Sequence, residues 1–191
     1  METSCFSYSS HFILLSSRIP AMQLPVNRTL YRLLTWLSIP TAWEISVGSV
    51  VFRDLPTGVR EYLLLQYPSG HFDFAKGHVE EGETEEMTLL RETVEETGLS
   101  SLEIIDARMS IEYFYVAKGN EAEKRRAAGR GTWIFKQVHF YPARVAPDAT
   151  VTISHEHTGF VWLPYAEAVK KATFDNAKNL IVQTETFLTQ A

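Results

Sequence analysis

The segment Gly77–Leu99, GHVEEGETEEMTLLRETVEETGL, joins a loop rich in glycine and glutamate to a helix with defined ends. Thr84 to Thr97 predicts a helix, and Gly98 supplies a residue that accepts the left-handed backbone of a helix stop. Met87, Leu90 and Val94 recur at helical spacing and predict the buried stripe. At about 100° per residue, Glu92, Glu95 and Glu96 fall within roughly a 100° arc nearly opposite that stripe. The helix is therefore expected to anchor itself by one face and to present three carboxylates on the other.

Gathering carboxylates is costly. Like charges at i and i+4, here Glu92 and Glu96, destabilise a helix by roughly 0.2–0.5 kcal/mol. A hard divalent cation among them reverses that sign. Oxygen ligands with no thiol nearby point to magnesium or manganese rather than zinc, and the single cysteine, Cys5, lies far away in the chain. An acidic helix taken alone is more often a solvated face. The fixed positions around it decide otherwise: Gly77, five residues, Glu83, seven residues, Arg91-Glu92, two residues, Glu95-Glu96, one residue, Gly98-Leu99. This spacing resembles the box of the Nudix hydrolases, a pattern with too many fixed positions to be a short-motif coincidence. Thr93 stands where an aliphatic residue is usual.

The resemblance implies an α/β fold, an α/β/α sandwich built on a mixed sheet, and an enzyme that hydrolyses a pyrophosphate linkage with Mg2+ or Mn2+ as cofactor. It further implies that Glu92, Glu95 and Glu96 bind the metal with the backbone carbonyl of Gly77. Arg91 is then expected to orient a neighbouring carboxylate, with Glu83 the candidate. Four further stretches narrow the match. EYLLLQY (61–67), KGHVEEGE (76–83), RETVEETG (91–98) and SHEHTGFVWL (154–163) resemble the animal-type asymmetric diadenosine tetraphosphate hydrolases. The likeness runs from about Trp43 to the C-terminus. Phe74-Ala75 replaces a Pro-Pro pair of that group, and the Lys118–Gly131 segment is longer than expected.

On this reading a small-molecule nucleotide is the partner, and diadenosine tetraphosphate is cut to ATP and AMP. Glu92 or Glu96 is the first choice of general base, with Glu156 of the SHEH segment as the alternative. Lys76, next to Gly77, is a candidate phosphate contact. Stacking an adenine on an aromatic contributes about 1–3 kcal/mol, and Tyr113, Tyr115 and Phe72 are the candidate platform, although packing in a sheet core suits them equally. His157 is either structural or in contact with substrate. Lys124, Arg125, Arg126 and Arg130 either cover the phosphates or belong to a solvated loop. Two alternatives stay open: another Nudix pyrophosphohydrolase, acting on a diphosphoinositol polyphosphate or a nucleoside triphosphate, and a catalytically silent nucleotide-binding sensor.

Outside the box the pattern is mixed. Ile45–Phe52 and Glu61–Tyr67 predict strands joined at the Asp54–Gly58 turn. His71–Gly82 predicts a loop, Leu102–Val116 and Thr132–Val145 long strands joined by the polar loop 118–131, and Thr150–Ile153 and Gly159–Leu163 shorter strands. Pro164–Leu188 reads as helix with a break near Thr173–Asn176. Residues 43–191 are thus expected to form the catalytic domain. Residues 1–42 form an N-terminal extension, read as a disordered tail or a targeting segment. Its first forty residues are rich in serine, carry Arg18, Arg28 and Arg32, and have Glu2 as their only acid, a composition that suits an organelle transit peptide. A cytoplasmic location is the first expectation and an organelle the alternative. A formal charge of −5 over 191 residues argues against a nucleic-acid partner. No apolar run reaches the roughly 18 residues of a membrane span. The sequence leaves the oligomeric state open.

Overall fold

The computed structural model describes residues 28–190. Its spine is β1 (Thr41–Asp54), which pairs in parallel with β7 (Trp133–Val145) from Thr41 opposite Trp133 to Arg53 opposite Val145. β1 also forms the expected hairpin with β2 (Arg60–Gln66). Gly58, at φ +81°, gives the turn its left-handed position. β8 (Gly159–Pro164) and β3 (Phe72–Asp73) add antiparallel to β2, and β4 (Lys76–His78) adds to β1. β5 (Glu103–Ile104) and β6 (Met109–Val116) add antiparallel to β7. The result is a mixed eight-stranded sheet.

Alternation along β1 sends successive residues to opposite faces. Val50 and Phe52 pack with Tyr62, Leu64, Val138 and Phe140 beneath Ala168 of α4 (Tyr165–Lys171) and Leu180 and Ile181 of α5 (Asp175–Gln190). Val51 packs on the other side with Leu63, Leu65, Ala75 and Leu99, the last just beyond α2 (Glu85–Thr97). Helices cover both faces, as the sandwich architecture requires. The pause between α4 and α5 falls at 172–174, close to the expected break.

Several expectations are corrected. In the described part of the 1–42 segment, β1 begins at Thr41, two residues before the expected boundary, and the largely exposed α1 (Arg28–Trp36) sets Tyr31 edge-on to Trp43 at 5.5 Å and to Phe135 at 5.3 Å. The transit-peptide reading of residues 1–27 lies outside the described residues. The polar segment 118–131 contains α3 (Gly119–Ala127), held by Ala122 on Ile134 and by the buried Arg125. A helix anchored by one alanine and an ion pair shows no apolar stripe. Residues 150–153 are not a strand. Thr152 N–H donates to the Thr97 carbonyl at 2.8 Å and Ser154 N–H to that of Glu96 at 3.2 Å, so this segment satisfies the open carbonyls at the end of α2. The long 102–116 strand is divided into β5 and β6, and the 71–82 loop contains β3 and β4.

The largest correction concerns α2. Its ends are as expected, with the Thr84 side chain accepting from Met87 N–H and Gly98 at φ +71°. Its packing face is not. Met87 and Val94 are exposed, whereas Thr88, Leu89, Thr93, Glu96 and Thr97 are buried. The helix approaches the sheet on its small threonine face, and Thr93 Oγ1 lies 2.8 Å from Ser49 Oγ of β1. A carboxylate edge therefore lies against the sheet instead of facing solvent.

Candidate active site

β4 and α2 meet at Gly77. A Cβ there would stand 1.7 Å from Glu92 Oε1, so only glycine lets the Glu92 carboxylate lie against the strand. One turn on, Glu96 is buried. Its Oε2 lies 2.7 Å from His157 Nε2, and its Oε1 accepts from the Lys76 backbone N–H at 3.3 Å. Burial pushes the Glu96 carboxyl up to about 8, and the charges of Glu92 and Glu156 add to the shift while Lys76 opposes it. Glu92 is also raised, first by burial and then by Glu95 and Glu156, against the pull of Arg91.

Arg91 ties the carboxylates together. Its Nε and Nη2 donate to the two oxygens of Glu83 at 2.7 and 2.9 Å, and its Nη1 donates to Glu92 at 2.6 Å and to Glu95 at 3.3 Å. The Arg91 bonds, followed by that from Thr88, hold Glu83 down at about 2. The geometry gives Arg91 the orienting position expected for it, with Glu83 as its bidentate partner.

The donor set consists of hard oxygens only: the carboxylates of Glu92, Glu95 and Glu96 and the Gly77 carbonyl. Glu92 and Glu96, withdrawn from solvent and with raised pKa values, suit a divalent cation, whereas the Glu95 side chain is exposed. Among the described residues no group of three or more His, Cys, Asp or Glu side chains is placed so that it could hold a metal ion by itself. Glu156 is exposed, and among the described residues its carboxylate makes no hydrogen bond.

Other candidates fall differently. His157 is not a surface contact: its side chain is fully buried, Tyr67 stands edge-on at 4.5 Å, and its bond goes to Glu96. Burial lowers its pKa, and Nδ1 has no partner among the described residues. Lys76 Nζ already serves Asp73 at 3.0 Å, the Tyr67 hydroxyl at 3.0 Å and the Phe74 carbonyl at 3.2 Å, which uses its three donors. Burial alone would pull this ammonium down, but Asp73 and Tyr67 outweigh it and hold its pKa above the usual range. Phe72 takes the core-packing alternative, with Lys171 Nζ 4.1 Å from its ring centre. Tyr113 and Tyr115 do share one face of β6, half-buried, with ring centroids 6.2 Å apart.

Several site residues had no marker in the sequence. Tyr67 stacks on His71 at 4.4 Å, and His71 in turn meets the half-exposed Phe174 at 5.2 Å. Lys136 stands opposite Tyr113 in the β6–β7 register and 3.0 Å from His78 Nε2. Burial pulls the Lys136 ammonium down to about 8. The β6–β7 register sets Lys136 opposite Tyr113, and the turn at 67–71 stacks Tyr67 on His71.

Gly77 beneath Glu92, Arg91 clamping Glu83, and Glu96 against the sheet lie together on one loop–helix segment. The chain belongs to the Nudix family: residues 44–183 match its NUDIX domain. It is similar to the asymmetrical bis(5'-nucleosyl)-tetraphosphatase of Caenorhabditis elegans, 32% identical over 75% of this chain and 95% of that protein. The enzyme of the same name from Rattus norvegicus is 34% identical over 74% of this chain and 92% of its own length. A crystal structure of a C. elegans Ap4A hydrolase binary complex superposes with a TM-score of 0.63 at 31% identity, covering 78% of this chain and 99% of that one.

Proposed function

We propose that this enzyme hydrolyses a dinucleoside polyphosphate, with diadenosine tetraphosphate giving ATP and AMP, and that its ion is Mg2+ or Mn2+. The observation that carries the reading is the Glu92–Glu96 pair against Gly77, in a chain that resembles asymmetrical tetraphosphatases over nearly their whole length. Glu92, Glu95, Glu96 and the Gly77 carbonyl would hold the ion. Such an ion supplies Lewis-acid neutralisation of the bridging phosphate oxygens.

The protein side of the reaction follows from the bonds already described. Water attacks one phosphorus, the anhydride P–O bond on its far side breaks, and the leaving phosphate departs with the bond pair. A carboxylate takes the proton of the water, a contribution of about 10²–10⁴-fold. Glu96 has both oxygens engaged by His157 and Lys76, and Glu92 is held by Arg91. Glu156 is the carboxylate left unengaged, and we assign the proton to it in preference to the two box residues. His71 and Phe174 on one side, and Tyr113 and Tyr115 on the other, offer faces for adenine.

Product analysis in oxygen-18 water tests the reading. Label in AMP or in ATP, with the two formed in equal amounts, supports asymmetric cleavage and identifies the phosphorus attacked. Release of ADP alone, or hydrolysis confined to nucleoside triphosphates or a diphosphoinositol, refutes it.

A further inference from the structure

One buried carboxylate takes no part in the box. Glu44 lies on β1 with 7% of its side chain exposed. Its Oε1 accepts from Arg125 Nη2 at 2.5 Å and from Arg130 Nη2 at 2.6 Å. Its Oε2 lies 3.7 Å from Lys136 Nζ and 3.6 Å from His78 Nε2. Register explains the grouping: Glu44 stands beside Lys136 in the β1–β7 pair, and Ser46, on the same side of β1 as Glu44, stands opposite His78. β4 thus turns Gly77 toward Glu92 and the flanking His78 toward this cluster. The cluster begins one residue from the carboxylate site.

The cations here outnumber what Glu44 can neutralise. Arg125 is fully engaged, with Nε on the Gly131 carbonyl at 2.7 Å and Nη1 3.9 Å from Glu121. Arg130 is not. Its side chain is 53% exposed, and among the described residues only Nη2 of its guanidinium makes a hydrogen bond. Its planar group is fixed at one corner and keeps further donors free, the arrangement that suits a phosphate. The Lys136 ammonium, partly buried close by, is short of anionic partners.

We propose that Arg130, with Lys136 behind it, binds a phosphate group, and that Glu44 is the positioning residue that holds the Arg130 guanidinium for it. Resting on the function proposed above, the ligand is a phosphate of the substrate's polyphosphate chain away from the cleaved bond.

Binding of inorganic tripolyphosphate, measured by calorimetry on the full chain without divalent metal, isolates this site from the box carboxylates. Arg130→Gln is expected to weaken binding roughly tenfold or more, as loss of a charge-assisted contact does, and to raise KM for diadenosine tetraphosphate more than it lowers kcat. Glu44→Gln removes a negative charge, so simple electrostatics predicts tighter binding. Positioning predicts weaker binding, with part of the loss recovered in Glu44→Asp. No binding by the wild type, unchanged binding in Arg130→Gln, or tighter binding in a folded Glu44→Gln overturns the proposal. Should Glu44→Gln fail to fold, the half-exposed Arg130 position decides alone. Arg130-dependent tripolyphosphate binding in a protein that leaves diadenosine tetraphosphate intact would refute the function and leave this site standing.

Discussion

His157 Nε2 lies 2.7 Å from Glu96 Oε2, and both side chains are buried. The imidazole leaves Glu96 one well-defined orientation toward Gly77 and Glu92. Partners of this kind typically change metal affinity or activity by roughly 10–100-fold when removed. His157→Ala is expected to lower kcat in that range and to raise the metal concentration needed for half-maximal rate. His157→Gln, which keeps a donor, should recover part of both. Equal loss in the two variants, with no change in metal requirement, would reduce His157 to a packing residue.

Gly77→Ala tests close approach. The added methyl would overlap the Glu92 carboxylate at 1.7 Å, and the side chain, not the strand, is free to yield. Activity should fall at least roughly tenfold, while overpacking costs about 1–3 kcal/mol of stability. Kinetics and a urea melt of the same sample separate the two effects. Full activity with Glu92 undisturbed would contradict the geometry.

The buried pair Ser49–Thr93, at 2.8 Å, replaces the aliphatic contact usual at this box position. Thr93→Val strands the Ser49 hydroxyl and is expected to cost about 1–3 kcal/mol, the penalty of an unsatisfied buried polar group. Adding Ser49→Ala should recover much of that loss. Additive destabilisation in the double variant would show that the hydroxyls do not depend on each other.

That pair also shows where the sequence could and could not be read. The box spacing, the helix ends and the strand–turn–strand of 45–67 are local signals, and each appears in the structure at nearly the expected residues. The face of α2 was misread because the pattern counts Met87, Leu90 and Val94 as apolar and Thr88, Thr93 and Thr97 as polar. Close packing favours the small threonines and leaves Met87 and Val94 outside. Tyr67, His71, Lys136 and Glu44 carry no motif. The Glu44–Lys136 pairing depends on the parallel β1–β7 register across some ninety residues of chain, which no local pattern encodes. The burial of His157 and Phe72 matches the structural alternatives that their residue types left open.

Acid should weaken one anchor of α2 in a defined window. The Arg108 guanidinium, bonded at 2.8 Å through Nε and Nη2, and the Tyr141 hydroxyl hold Glu85 down at about 2, below its ordinary 4.5. A depressed carboxylate contributes its stability in full above the unfolded value and loses it as pH falls from there through the folded value. The pair is partly exposed, so its contribution is on the order of 1 kcal/mol or less. Thermal melts of wild type and Glu85→Gln should differ at pH 6 and converge as pH falls from 4.5 toward 2. A difference that persists unchanged at the acid end would assign the effect to packing.

Enzyme and silent sensor separate at Glu96. The carboxylate is buried against Lys76 and His157, and burial and neighbouring carboxylates raise its pKa. A purely structural role for so costly a group is poorly served by charge: a neutral amide of the same shape accepts from the Lys76 N–H through its oxygen and donates through its nitrogen to His157 Nε2 in the Nδ1–H tautomer, without the desolvation penalty. Glu96→Gln should therefore fold at least as stably as the wild type. If the charge serves a metal ion, the variant still binds nucleotide but loses at least roughly 100-fold in turnover, and excess chelator abolishes wild-type hydrolysis until Mg2+ or Mn2+ is restored. A sensor has no turnover to lose and binds nucleotide equally with and without chelator. Hydrolysis undiminished in excess chelator would remove the reason for gathering these carboxylates and the enzymatic reading of the site with it.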